Sequence, residues 1–256
     1  MTGENSFLED VGMENVPFPM RVLSKADPDG QPTIAKVSIS ARIMQEFEAQ
    51  WIHKFMQILH MQRERIGAKE LRANVLEYLD QLHAKAVRVD LEYPFFMEKI
   101  TPVSKEKRLE SYLCTCSAKA SEVSGVTINF KMQIPVITTY PDSAPDKPGG
   151  LFGQLSVVTV EIASEENIYP EDLVELVDSH AIVPVHSFLT EEDQEHIIQK
   201  VHSVEKTSVE LVDEIRKDLA SNPDISWYWV NCANYGMLHS YSTIIGIEKS
   251  SWIPFS

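Results

Sequence analysis

Glu98 has the surroundings in this chain that point most directly to proton chemistry. It follows Phe95, Phe96 and Met97 and precedes Lys99. A carboxylate desolvated by such neighbours holds its proton more tightly, which moves it toward the range useful to a general acid or base. The plainer reading is an ion pair with Lys99. Arg72 stands beside an apolar helical stripe, where a guanidinium either clamps a ligand carboxylate bidentately or faces water as most arginines do. His239, in "LHSYS", is a candidate proton carrier or hydrogen-bond donor. Asp142, in "YPDSAPD", is either an acid, a ligand or the cap of a turn. His180, His186, His196 and His202 share no helical spacing, so places in the core or on the surface are expected for them rather than a metal cluster.

These residues need elements to hold them. Residues 1–32 are polar with a "DPDG" turn and read as an N-terminal arm on a body spanning 33–256. "TIAKVSIS" alternates as a strand does. Phe47, Trp51, Phe55, Ile58 and Leu59 then fall at helical spacing, predicting a long amphipathic helix that ends near Gly67. A second helix is expected from about Lys69 to Ala86, with Leu71, Val75, Leu79 and Leu82 on its buried stripe. Four strand-like runs follow, two or three helices, and a closing hairpin from "SWYWVNCANYG" and "HSYSTIIGIEK". Strands without intervening helices imply a largely antiparallel sheet, hence an α+β fold. Its two αβ modules are placed at about 33–136 and 155–256, and the loop between them, "YPDSAPDKPGG", joins rigid strands where sites often sit.

A formal charge of −15 excludes broad contact with nucleic acid phosphates or an anionic membrane. A small molecule or a protein partner is expected instead. Three cysteines, Cys114, Cys116 and Cys232, make neither a disulfide framework nor a zinc-finger spacing. No apolar run reaches the roughly 18 residues of a membrane helix, and the start does not read as a signal peptide, so a reduced cytoplasmic protein is expected.

Five segments, "HKFMQIL", "YPFFMEKITPVS", "MQIPVITTYPDS", "EDLVELV" and "NYGMLHSYS", in this order and spacing, resemble the type IB GTP cyclohydrolases. The resemblance runs from Ile39 to Glu248. It implies a bimodular tunnelling fold, an antiparallel sheet with helices on one face, assembled as a homodimer or homotetramer with sites at subunit interfaces. It also implies a divalent metal that activates water against the imidazole carbon of GTP. The family's ligands are a Cys in Cys-Pro-Cys-Ser, a His in Gly-Ala-His-Asn-Gln-Arg-Ser, a Glu after an Asp, and a His in His-Asn-His. Here the first run is "YPDS", with Tyr140 and Asp142 in place of the sulfurs. The second is "GLFGQLS", with Phe152 in place of the His. The Asp-Glu pair becomes Asp193-Gln194, and of the triplet His239 stays while Tyr241 replaces the second His. A phenyl ring cannot ligate a metal, and one imidazole falls short of the usual three protein ligands of catalytic zinc.

No metal and no cofactor are therefore expected. Phe152 lines a pocket for an aromatic substrate or fills the space of the lost metal. Glu210, in "SVELV", is the candidate for the Glu with which the family grips the guanine edge, although Val209 takes that position without a one-residue shift. An Arg on a helix and a Glu some 25 residues later are also similar to bacterial Pictet–Spengler cyclases that form β-carbolines. The resulting expectation is a metal-independent ring-forming enzyme condensing tryptophan or a related arylethylamine with an aldehyde. In it Glu98, Arg72 and His239 are catalytic, and Phe95, Phe96, Asp142, Phe152 and Glu210 bind a substrate with an aromatic ring. The alternatives are a non-catalytic purine-, pterin- or protein-binding relative of the cyclohydrolases, and a cyclohydrolase with an altered metal site.

Overall fold

The computed structural model describes residues 9–43, 50–61, 63–64 and 66–249. Within the expected arm lies a strand: β1 (Glu9–Val22) pairs antiparallel with β2 (Gln31–Ile43), from Glu9 opposite Ile43 to Val22 opposite Gln31. Its buried side chains Phe18, Met20 and Val22 alternate, and this period of two is a strand signal that the surrounding Pro and Asp residues obscured. The ladder slips between Met13 and Val16, where Asn15 adopts φ 55°.

Helices α1 (Gln50–Met61) and α2 (Ala68–Gln81) follow. Gly67 does not end the first helix as expected; it opens the second, its amide donating to Glu70 Oε2 three residues on. Phe47 lies outside the described residues. Strands β3 (Ala86–Ile100), β4 (Lys107–Ser121), β5 (Gly125–Thr139) and β6 (Gly153–Ser164) come next. Then come α3 (Pro170–His180), the two-residue β7 (Val183–Pro184), α4 (Glu191–Ser203), α5 (Ser208–Ser221), β8 (Ile225–Tyr235) and β9 (Thr243–Glu248). Helices α4 and α5 open on Thr190 and Thr207, whose hydroxyls accept the amides of Asp193 and Glu210 while those carboxylates reach back.

The strands order as β1-β2-β3-β4-β5-β6-β8-β9, with β7 paired to β5. The chain divides into two compact units. Residues 1–94, 113–130 and 163–169 make the first; residues 95–112, 131–162 and 170–256 make the second. The division cuts across β3, β4, β5 and β6 and so differs from modules of 33–136 and 155–256. In the first unit Val37, Ile39, Phe55, Leu71, Val75 and Tyr78 form the core, and the Tyr78 hydroxyl donates to the Phe55 carbonyl at 2.7 Å. In the second, Met132, Ile134, Val158, Val174, Leu211 and Ile215 are buried. None of the three cysteines forms a disulfide and all are buried; burial pushes the thiols of Cys116 and Cys232 up to about 12 and about 11. No helix among the described residues is long and apolar enough to cross a membrane.

Candidate functional site

In the second unit three positions matched to metal ligands do meet in space, but as rings. Tyr140 follows the last residue of β5 and is buried; Phe152 precedes β6 and stacks on the Tyr140 ring, with centroids 4.9 Å apart and 18° between planes. The pair is fixed by the backbone, since the Tyr140 amide donates to the Phe152 carbonyl at 2.9 Å. The Tyr140 hydroxyl and His239 Nε2 are hydrogen-bonded at 3.2 Å. His239 in turn stacks on Tyr241, at 4.8 Å and 17°. The result is a ladder Phe152–Tyr140–His239–Tyr241 that runs from the interior to the exposed turn between β8 and β9. Gly236 permits it: a Cβ there would stand 2.8 Å from Tyr140 Cε2.

The loop 140–152 is held in its frame by turns. The Ser143 amide donates to the Tyr140 carbonyl, which puts Pro141 and Asp142 in the middle of a turn. Asp142 is exposed, and Lys147 Nζ donates to its main-chain carbonyl. Gly149 and Gly150, at φ 91° and 65°, supply left-handed backbone that other residues rarely adopt. His202 Nδ1 hydrogen-bonds the Leu151 carbonyl and ties the loop to α4.

Under the ladder lies a buried polar chain that sequence reasoning missed. Gln154 Nε2 donates to Thr138 Oγ1 and the Thr139 carbonyl, and Thr138 Oγ1 meets Ser156 Oγ at 2.7 Å. Ser156 Oγ donates to Asn234 Oδ1 at 2.8 Å, and Asn234 Nδ2 donates to Ser208 Oγ at the start of α5. Leaving such groups unpaired costs about 1–3 kcal/mol each, so the chain holds β5, β6, β8 and α5 in one arrangement. The signal was Gln154 and Ser156 spaced by two on a strand, the buried phase carrying polar residues.

The other expected site residues stand apart from this ladder. Strand parity separates Glu98 from Phe95 and Met97: Phe95 is fully buried and Lys99 nearly so on one face, while Glu98 points the other way between Phe96 and Ile100, both exposed. Glu98 is 60% exposed and pairs with Lys107 at 2.9 Å, so neither the expected desolvation nor the pair with Lys99 is found. Lys99 instead meets Asp178 at 2.5 Å. Arg72, in the first unit, faces Glu165 at 3.4 Å. Glu210 spends its carboxylate on the Thr207 amide and hydroxyl, which hold it below the usual range, and Val209 is exposed. Asp193 is likewise structural. Burial pushes its carboxyl up, but the hydroxyl and amide of Ser104, the Val103 amide and the Thr190 hydroxyl outweigh this and hold it well below the usual range. Gln194 is exposed and donates to the Leu189 carbonyl.

The donor set does not fit the metal of the resembled cyclohydrolases. Tyr140 and Phe152 stand where sulfur and imidazole would be, and His239 Nε2 is engaged by a phenol. Among the described residues no group of three or more His, Cys, Asp or Glu is placed to hold a metal ion.

Comparison with known proteins identifies the scaffold. The family model "Type I GTP cyclohydrolase folE2" matches residues 3–244. The protein named GTP cyclohydrolase FolE2 of Citrifermentans bemidjiense is 29% identical over 240 residues, covering 94% of this chain and 89% of its own. The one of Dictyoglomus thermophilum is 26% identical over 247 residues, covering 96% and 94%. The structure of a uricase from Bacillus fastidious superposes with a TM-score of 0.59 at 10% identity, covering 94% of this chain and 93% of that one. That likeness carries the fold alone, a mostly antiparallel sheet with five helices. These matches overturn the Pictet–Spengler reading, whose Arg-to-Glu spacing joins residues that pair separately with Glu165 and Lys107. By its match over nearly the whole length, the chain belongs to the GTP cyclohydrolase FolE2 family.

Proposed function

We propose that this chain binds GTP, or a purine or pterin compound of that class, at the Phe152–Tyr140–His239–Tyr241 ladder, and that it does so without the metal ligand set of its family. The substrate class comes from the names of its relatives. The metal-free character rests on one observation: the matched ligand positions converge on each other as stacked rings joined by the Tyr140–His239 hydrogen bond. Aromatic rings stack on nucleobases with about 1–3 kcal/mol per base, and Tyr241, exposed at the outer end, offers such a face. Tyr140 and His239 present a phenol and an imidazole that share one hydrogen bond and exchange donor and acceptor roles with the imidazole tautomer.

The bimodular tunnelling arrangement and a homo-oligomer with its sites at subunit interfaces belong to the same proposal. Met237, Leu238 and Ile244, all strongly exposed on the hairpin that carries His239, give a second copy an apolar face beside the ladder. The mass in solution tests this; a strict monomer at working concentration contradicts it.

Calorimetric titration with GTP, before and after exhaustive chelation, tests the ligand. Equal affinity in both states and a loss of at least tenfold in Tyr241→Ala are expected. GTP binding or turnover that appears only when a divalent metal is restored would overturn the metal-free reading, and no GTP binding in either state would overturn the ligand.

A further inference from the structure

A cavity of about 360 Å³ in the same unit is lined by none of the ladder's residues. Its polar lining is Glu98, Lys99, His186, His196 and Lys200, set among apolar side chains that include Met97 and Pro184. His196 and Lys200 are one turn apart on the exposed face of α4, and neither has an ion-pair partner among the described residues. Glu98, the carboxylate in the lining, is neutralised by Lys107. Lys99 is neutralised from behind by Asp178. His186 has a side chain only 4% exposed, yet its Nδ1 makes no hydrogen bond. The nearest carboxylate oxygen, on Glu110, is 3.9 Å away, and that group already accepts from the amide and hydroxyl of Ser187. Burial, then the charge of Lys99, push His186 toward its neutral form. A neutral imidazole still carries one N–H and one acceptor nitrogen, and among the described residues no group pairs with Nδ1 in either role.

In a chain of net charge −15, a cavity with two unpaired basic groups at its mouth and an unpaired buried imidazole in its wall is built for an acceptor. We propose that this cavity binds a small oxyanion, a phosphoryl or carboxylate group, held by Lys200 and His196 at the mouth with His186 donating from the wall. Met97 and Pro184 leave room for a short apolar body attached to it. An ammonium and imidazoles recognise both oxyanions by the same charge-assisted hydrogen bonds.

The test uses the full chain, with inorganic phosphate and, separately, succinate as probes at constant ionic strength. Binding is followed by the histidine ring signals of His186 and His196 in nuclear magnetic resonance. Saturable shifts of both rings with phosphate alone assign a phosphoryl site, and with succinate alone a carboxylate site. Because Lys200 and His196 are exposed, Lys200→Ala and His196→Ala keep the fold, and each is expected to weaken binding roughly tenfold, the loss of one charge-assisted bond. Tyr140→Phe, at the ladder, leaves it unchanged. Absence of saturable shifts with either probe, or binding indifferent to Lys200→Ala, overturns the proposal. Because GTP is not used, this failure is distinct from failure of the ladder as a GTP site.

Discussion

The ladder around Tyr140 and the region of Glu98 were both candidates for chemistry, and they differ in how their side chains are held. At Tyr140 each ring is in contact with the next, a backbone bond fixes the stack, and a buried hydroxyl-amide chain runs beneath. At Glu98 the carboxylate faces water and takes the nearest lysine. Exposed pairs of that kind contribute about 0–1 kcal/mol and orient little. Positions that several elements jointly constrain therefore carry the functional argument here, whereas an ionisable residue among apolar letters does not.

Truncating the centre of the ladder should have the largest effect. Tyr140→Ala removes a buried ring and is expected to cost about 3–5 kcal/mol in chemical denaturation. Tyr140→Phe keeps the stack and loses one hydrogen bond, about 0.5–1.5 kcal/mol. If Tyr140→Ala costs no more than Tyr140→Phe, the stack is not what holds this region. Gly236→Ala comes next, at about 1–3 kcal/mol, because its new methyl meets a ring that cannot yield. Retained thermal stability in that variant would mean that the hairpin shifts freely.

Asp193 gives a smaller, pH-dependent effect. Its folded carboxyl is held below its ordinary value, so its charge contributes stability above about pH 4, and that contribution is lost as the pH falls toward the folded value. Unfolding midpoints of Asp193→Asn should therefore depend less steeply on acid than those of the parent; parallel curves would contradict the assignment. The smallest effects belong to the other side of the comparison. Arg72→Ala and Glu98→Gln should each change stability by under about 0.5 kcal/mol and leave GTP affinity unchanged. A large loss from Glu98→Gln would restore that carboxylate as a working group.

Much of the fold was legible, because period-two and helical patterns are local. The final hairpin and the antiparallel strands were read from such patterns. β1 was hidden because its prolines and acidic residues suggested an arm, while its pairing with β2 depends on residues as distant in the chain as Ile43 is from Glu9. At the site, the resemblance matched Tyr140, Phe152 and His239 to ligand positions, but did not tell that the rings meet, since that needs β5, β6 and the β8–β9 turn together. Glu98 was misread through its chain neighbours; strand parity, itself visible in the sequence, sets it on the opposite face from Phe95. The polar chain from Gln154 to Ser208 escaped because each member is ordinary alone and is paired only across elements.

The central claim is that rings have taken over the family's metal corner. Elemental analysis of the purified chain, after loading with zinc, iron and manganese in turn and desalting, tests it most directly. The account predicts well under one bound ion per chain, with the same value in His239→Ala. One ion per chain that is lost in His239→Ala would contradict it.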